Sequence, residues 1–295
     1  MCSPGNATFA RIKLVASLLR NPGGPYMSRR STKPFNVGQA IRIAVMFLMM
    51  AIVNTVCHGQ TTKAAMYQFP FSPGEKLTFQ VRWSFIPAGK VILEILPVET
   101  LDGRSAYHFV MTARTYPLVD VFYKVRDRID SYTDTQMTRS LLYREQSTGR
   151  RPKDVTVIFN WNQGQVQYSN FGEKRAPVQL LPGAFDPLSI FYAFRLFELS
   201  NNSHLEAPVS DGKKCVLGKA TVIKRETVFL VSGTYDTYLV APELKHIGGV
   251  FEKSPTAKME IWVTADERRI PVKIKSKVSV GSFVAELVAL SVNSD

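Results

Sequence analysis

The sequence is poor in the side chains that most often build catalytic and metal centres. Its 295 residues include three cysteines and four histidines, and they contain no Cys-x-x-Cys, His-Glu-x-x-His, Gly-x-Ser-x-Gly or Gly-rich phosphate-binding motif. These absences exclude the common zinc sites, the nucleophile elbow of α/β-hydrolases and the P-loop. We therefore predict no catalytic residue, no metal ligand and no cofactor.

Cysteine is too scarce for an internal disulfide once a leader has been removed. Cys2 and Cys57 lie within the first 59 residues, which leaves Cys215 alone. An oxidising compartment permits disulfides but does not require them. A reactive thiol needs exposure and a lowered pKa. We interpret Cys215 as a small packing residue.

Acidic side chains are missing from residues 1–59, which carry seven basic ones. The apolar run at residues 43–53, IAVMFLMMAIV, is shorter than the roughly 20 residues of a membrane span. A basic segment, a short apolar run and a small residue before the cut are typical of a secretory signal peptide. We predict a leader over residues 1–59, cleaved after Gly59, with Met27 as an alternative start. An uncleaved anchor is the other interpretation.

Export would place the protein in the periplasm or outside the cell. Lipidation at Cys57 is disfavoured, because Asn54, Thr55 and Val56 do not resemble a lipobox. Loss of the leader lowers the count of Lys and Arg from 37 to 30 against 24 acidic residues, so the net charge falls from +13 to +6. This mild excess is not clustered as a nucleic-acid site would be, and we expect no nucleic-acid partner.

Apolar and polar residues alternate along most of residues 60–295, which indicates half-buried strands. Leu77, Phe79, Val81 and Trp83 fall on one face of a predicted strand. We predict one all-β, mainly antiparallel domain of about a dozen strands, whose large curved sheet forms a barrel or half-barrel. Residues 200–214 are predicted to be a surface loop.

One segment departs from this alternation, at residues 186–199. Asp186 suits a helix N-cap, Pro187 suits the first helical position, and Phe191 and Phe194 lie on an apolar surface. We predict one central amphipathic helix that packs into the concave face of the sheet. It is either a permanent core plug, the plainer interpretation, or a lid over a ligand space.

Several motifs follow one another in order over about residues 70–290. They are FPFSPGEKLTFQVRW with Gly74, Glu75 and Trp83, the Gly89 turn, DPLSIFYAFR with Asp186 and Arg195, DGKK at 211–214, and WVTADERRIPVKI with Trp262, Asp266 and Pro271. Together they resemble a family of exported bacterial proteins catalogued as domain of unknown function 3108, and their order and spacing are more specific than any single motif. The resemblance implies a predominantly β exported protein and carries no particular reaction or functional residue.

A weaker resemblance concerns the C-terminal hairpin alone. A strand with Trp262, an acidic turn and Pro-Val-Lys is similar to a hairpin of the periplasmic lipoprotein carriers, whose half-barrels surround an apolar cavity capped by helices. This resemblance would make the 186–199 helix a lid, although fold does not determine function.

Ionisable residues offer three further features, each of which has a plain interpretation. Asp127 and Asp130 should point to opposite faces of one strand, with Arg126 and Arg128 as ion partners. A lone strand histidine such as His108 is expected to be a hydrogen-bonded structural residue. A row formed by Lys273, Lys275 and Lys277 could contact a membrane surface, or could simply keep the sheet soluble.

Three functions remain open at the level of sequence. The first is a non-enzymatic cell-envelope binder of a lipid or other apolar ligand, with Trp83, Phe191, Phe194 and Trp262 as its candidate binding residues. The second is a structural or interaction module with a filled core that contacts an envelope protein partner. The third is a hydrolase without a readable motif.

Overall fold

The computed structural model describes residues 69–149, 152–243, 257–278 and 281–292. The predicted leader, Arg150, Arg151 and Val280 lie outside these ranges. Helix α1 spans Pro117–Asp120 and α2 spans Ser189–Ala193, with a 3₁₀ turn at Phe194–Leu196. The strands are β1 Glu75–Trp83, β2 Ile86–Leu101, β3 Arg104–Thr115, β4 Arg126–Asp134, β5 Ser140–Ser147, β6 Lys153–Asn160, β7 Gln165–Asn170, β8 Glu173–Lys174, β9 Val178–Gln179, β10 His204–Ser210, β11 Cys215–Leu230, β12 Gly233–Pro242, β13 Lys258–Thr264, β14 Pro271–Val278 and β15 Gly281–Val292.

All these strands belong to one antiparallel sheet in which β1 is central. Their order is β10-β11-β12-β13-β14-β15-β1-β2-β3-β4-β5-β6-β7-β8, and β9 pairs with β7. Most neighbours are consecutive hairpins. Besides the short β9, the exception is β1, which pairs with β15 from Glu75 opposite Val292 to Trp83 opposite Phe283. The first and last strands of the described chain therefore join the two halves of the sheet.

The sheet is not closed strand to strand, but a short strap connects β10, at one edge of the sheet, to β5 in the other half. The strap is residues 184–186. Its Ala184 carbonyl accepts a hydrogen bond from the Ser140 amide of β5 at 3.1 Å. On its other side, Phe185 bonds both ways with β10, donating to the Pro208 carbonyl at 2.9 Å and accepting from the Ser210 amide at 2.8 Å. The result is a barrel-like enclosure.

The core lies on the concave side of this sheet, as the alternation predicts. Leu77, Phe79 and Val81 of β1 are buried, as are Val272 and Ile274 of β14. The prediction of an all-β, mainly antiparallel, curved sheet is confirmed. No helix in the described ranges is both long enough and apolar enough to traverse a bilayer.

Two predicted boundaries need correction. Residues 200–214 are not only a loop, since β10 occupies His204–Ser210 with Leu205, Ala207 and Val209 buried. The helix predicted over 186–199 is shorter, because α2 and its 3₁₀ extension end at Leu196 and Phe197 is already extended, with ψ of 144°.

Candidate functional site

The central helical segment lies inside the enclosure and is covered on all sides. Every residue of α2 is buried, as are Phe194 and Arg195 of the 3₁₀ turn. Phe191 and Phe194 keep 6% and 3% of their surface exposed. Apolar residues around the whole helix therefore reflect complete burial rather than a one-sided amphipathic surface.

Asp186 anchors the start of this segment to the sheet. Its Oδ2 accepts hydrogen bonds from the hydroxyls of Ser131, Ser140 and Ser189 at 2.7, 2.6 and 2.5 Å. Its Oδ1 accepts from the amides of Leu188 and Ser189 at 2.8 and 2.9 Å. The fully buried carboxylate thus caps the helix and holds it to β4 and β5, and its acceptor capacity is used within the protein.

Arg195 anchors the other end of the segment. Its guanidinium forms a two-pronged ion pair with Glu75, in which Nη2 lies 2.9 Å from Oε2, and it also donates to the carbonyls of Pro70 and Arg268, each at 2.8 Å. Both charged side chains are buried. Removing one partner of such a pair typically destabilises a protein by about 3–5 kcal/mol, because the other charge stays buried.

Aromatic stacking fills the space between these anchors. The Tyr192 ring stacks on Phe109 with centroids 4.1 Å apart and meets Phe71 edge-on at 5.7 Å. Burial raises the pKa of the Tyr192 hydroxyl far above its ordinary value. That hydroxyl has no hydrogen-bond partner among the described residues.

The four predicted ligand-binding residues occupy three different places. Phe191 and Phe194 share the buried helical segment. Trp83 stacks on Phe283 at the far end of β1 from Glu75, roughly 26 Å away for eight residues of strand. Trp262 donates from Nε1 to Glu226 at 2.9 Å and carries the Lys273 ammonium 5.7 Å from its ring centroid. Only the two phenylalanines are brought together.

The serine partners of Asp186 were missed at the level of sequence. Ser131 and Thr133 follow Ile129 at two-residue intervals, so the alternation places these polar side chains on the inward face of β4. All three are buried. Polar residues at inward-facing strand positions need hydrogen-bond partners once they are buried. Their presence in the sequence was therefore the available signal for a buried polar centre.

A second charged cluster lies on the opposite face of β3 and β4, around His108. Its Nδ1 lies 2.7 Å from Glu99 and its Nε2 lies 2.8 Å from Asp130, while Tyr132 stacks on the ring at 4.2 Å. Burial lowers the pKa of His108, but hydrogen bonds to Asp130 and Glu99 outweigh it, and the net pKa is raised. His108 is hydrogen-bonded at both ring nitrogens, as predicted.

Arg128 completes this cluster by donating to both oxygens of Asp130, at 2.8 and 2.6 Å. Burial opposes the ionised carboxylate, yet the hydrogen bonds from His108 and Arg128 prevail and lower the pKa of Asp130. Within this cluster, the negative charge of Asp130 is therefore balanced by His108 and Arg128. Within the part of the chain that the structure describes, no group of three or more His, Cys, Asp or Glu side chains could hold a metal ion.

Cys215 is half-buried, and its sulfur accepts a hydrogen bond from the Leu181 amide at 3.3 Å. Burial raises the pKa of the thiol despite that bond. A raised pKa leaves little thiolate at neutral pH, which fits a packing role.

Comparison with known proteins gives a family and a fold. The family model "Protein of unknown function (DUF3108)" matches residues 78–288. No curated protein matches. A solved β-barrel-like protein of the DUF1849 domain of unknown function from Brucella abortus is similar at a TM-score of 0.48 and 10% identity, covering 75% of this chain and 98% of that one.

Two further solved structures are more distant. A candidate exported protein with a YmcC-like fold from Bacteroides fragilis has a TM-score of 0.32 and 7% identity, covering 76% of this chain and 98% of its own. A candidate lipoprotein from Parabacteroides distasonis has a TM-score of 0.30 and 12% identity, with coverage of 76% and 97%.

Proposed function

The chain belongs to the DUF3108 family, and from that premise we propose that it is a non-enzymatic interaction module of the cell envelope, which acts through its outer surface. The observation that carries this proposal is the double anchoring of the buried helical segment by Asp186 and Arg195. Placement in the envelope rests on the leader predicted over residues 1–59.

The anchors favour a plug over a lid, because a lid must move out of the interior at a low cost in free energy. Departure of this segment would strip Asp186 of its serine partners and separate the Arg195–Glu75 pair. It would also open the strap, since residues 184–186 run directly into the helix. Unpaired buried charges are costly enough that we expect the segment to stay in place.

A carrier of a lipid or other apolar ligand is the second candidate, and the aromatic surface of the segment favours it. Phe191 and Tyr192 meet edge-on at 6.2 Å, and Phe71 and Phe109 continue the aromatic cluster. Such a cluster could contact an acyl chain, provided that the segment moves.

The experiment that separates these functions is native mass spectrometry of the protein recovered from the envelope fraction of an expressing bacterium, followed by organic extraction. We expect no stoichiometric lipid. A bound lipid that disappears in folded Phe191→Asp or Phe194→Asp variants would show a carrier and contradict the module.

The same variants test the plug directly. Each places a charge in a buried apolar site, and we expect the free energy of unfolding to fall by at least about 3 kcal/mol. Phe229→Asp is the matched control, since Phe229 is 78% exposed. Urea unfolding followed by circular dichroism measures all three; unchanged stability in the helical variants would argue for a mobile lid.

A further inference from the structure

One end of the sheet presents apolar side chains to solvent beside basic ones. We call this surface the basic-apolar rim and define it by Phe85, Lys90, Arg114, Leu118 and Val121. Phe85 is 97% exposed, Val121 78% and Leu118 69%. Exposed apolar side chains grouped beside charges mark interaction sites, whereas isolated ones need no explanation.

The structure brings the two apolar turns of the rim together. The β1–β2 turn carries Phe85, and the β3–β4 connection carries α1. Gly89 of β2 lies opposite Thr115 of β3, and the Tyr116 amide donates to the Ala88 carbonyl at 3.1 Å. The apolar residues of both turns therefore project from the same end of adjacent strands.

The connection that holds α1 is packed against the core. Val119 and Tyr123 are buried in the core, beneath the exposed Leu118 and Val121. Asp120 at the end of α1 pairs with Arg126, whose Nη1 also donates to the Val125 carbonyl at 2.6 Å. Leu118 and Val121 are therefore held at the surface by an element whose neighbouring residues are buried in the core.

The basic half of the rim has an unbalanced charge. Lys90 lies directly opposite Arg114, which in turn lies opposite Arg126. Like charges directly opposite each other destabilise a sheet. Asp120 neutralises Arg126, but neither Lys90 nor Arg114 forms an ion pair with any residue in the described ranges. An anion at this surface would relieve the repulsion.

We propose that the basic-apolar rim docks the protein on an anionic lipid bilayer. Apolar side chains on short projecting turns insert below the headgroups, and the adjacent cations attract anionic lipid. The row of Lys273, Lys275 and Lys277, which the sequence suggested for membrane contact, is less suited: Lys273 lies 2.9 Å from Glu286 and Lys275 lies 3.9 Å from Glu260. This inference rests on the proposed surface function and names its partner.

The test is hydrogen–deuterium exchange of the protein with vesicles of equal parts phosphatidylcholine and phosphatidylglycerol, against vesicles of phosphatidylcholine alone. We expect slower exchange at residues 84–86 and 117–124 with the anionic vesicles only. The β11–β12 turn at the opposite end, with Phe229 and Val231, serves as the internal reference and should not change. A lipid held inside the enclosure would instead slow exchange at residues 189–196. Failure of the docking proposal and failure of the proposed function would therefore give different exchange patterns.

Variants then divide the rim into its apolar and basic parts. Leu118→Asp with Val121→Asp should abolish the protection, while Phe229→Asp should not. Lys90→Gln with Arg114→Gln should lower the vesicle partition coefficient roughly thirtyfold, at about 1 kcal/mol for each basic residue near an anionic surface. The proposal is overturned if neither vesicle protects the rim, if both protect it equally, or if an envelope protein extract protects it when vesicles do not.

Discussion

Asp186 shows how one side chain can organise an interior. Three hydroxyls and two amides point at a single buried carboxylate, so its removal would leave five donors without their acceptor. We expect Asp186→Ala to lower the free energy of unfolding by roughly 3 kcal/mol or more, given about 1–3 kcal/mol for each unsatisfied buried group. Urea titration measures this, with the exposed Asp154→Ala as control. A loss under 1 kcal/mol would mean that water replaces the carboxylate.

His108 gives the stability of the protein a predictable dependence on pH. Folding raises the pKa of His108 above its ordinary value of 6.5, so the folded state binds the extra proton more tightly. The stabilisation is complete below about pH 6.5 and is lost as the pH rises through the raised value. Folding lowers the pKa of Asp130, so its contribution disappears only in acid, as the pH falls below its ordinary value of 3.8.

Replacing His108 with Gln should therefore reduce stability more at mildly acidic pH than at alkaline pH. Urea unfolding of both proteins at pH 5.5 and pH 8.5 provides the comparison. His204→Gln is the control, because His204 is exposed and lies 3.2 Å from the Thr221 hydroxyl rather than between carboxylates. An equal loss at the two pH values would place the contribution of His108 in packing alone.

The sequence allowed key residues to be identified, but it did not allow their interaction partners to be predicted. The sequence identified Glu75, Asp186 and Arg195 through the family resemblance, and these residues form the two anchors of the buried segment. Their partners could not be predicted, because the Glu75–Arg195 pair joins β1 to a segment 120 positions later. The same holds for Trp262, whose charged neighbours depend on the pairing of β11, β13 and β14.

Among the elements, strands followed the sequence more closely than the helix. Strand alternation is local, and it predicted β1 because the buried face is fixed by neighbours two residues apart. The end of the helix depends on tertiary contacts instead. Arg269 donates to the Arg195 carbonyl at 3.2 Å, and this takes up an acceptor that a continued helix would use internally.

The β2–β3 pair depends on a close approach at Gly89. A β-carbon at this position would lie 2.4 Å from the Arg114 carbonyl oxygen, which is backbone and cannot move aside. We expect Gly89→Ala to lower the free energy of unfolding by roughly 1–3 kcal/mol, and Gly89→Val to lower it further.

Gly103 is the matched control for the two Gly89 variants. It has a φ of +77° but no atom within 4 Å of a built β-carbon, so only backbone strain opposes substitution there. A steric clash with the opposite backbone should therefore add to the cost only at Gly89, because the cost at Gly103 is the backbone strain of a positive φ, which is larger for β-branched Val than for Ala. Thermal unfolding of the Ala and Val variants at both positions measures this, and equal losses from Ala and Val at Gly89 would contradict the steric account.

On the scale of the whole molecule, the strap and the buried helix are one continuous segment. Residues 184–186 bridge β5 and β10, and the chain proceeds at once into the segment that fills the interior. The enclosure and its filling thus depend on each other. The order of strands could not be predicted from alternation, because every strand carries a similar apolar face.

The pairing of β1 with β15 sets the order in which the molecule can assemble. The central strand of the sheet stays unpaired along one edge until nearly the last described residue is available, since Glu75 lies opposite Val292. Contacts between residues this distant in sequence form slowly during folding. Until they form, the unpaired edge of β1 can pair with a strand of another chain. A chain emerging from its N-terminus onward must therefore hold β1 paired with β2 along one edge and unpaired along the other until β15 becomes available.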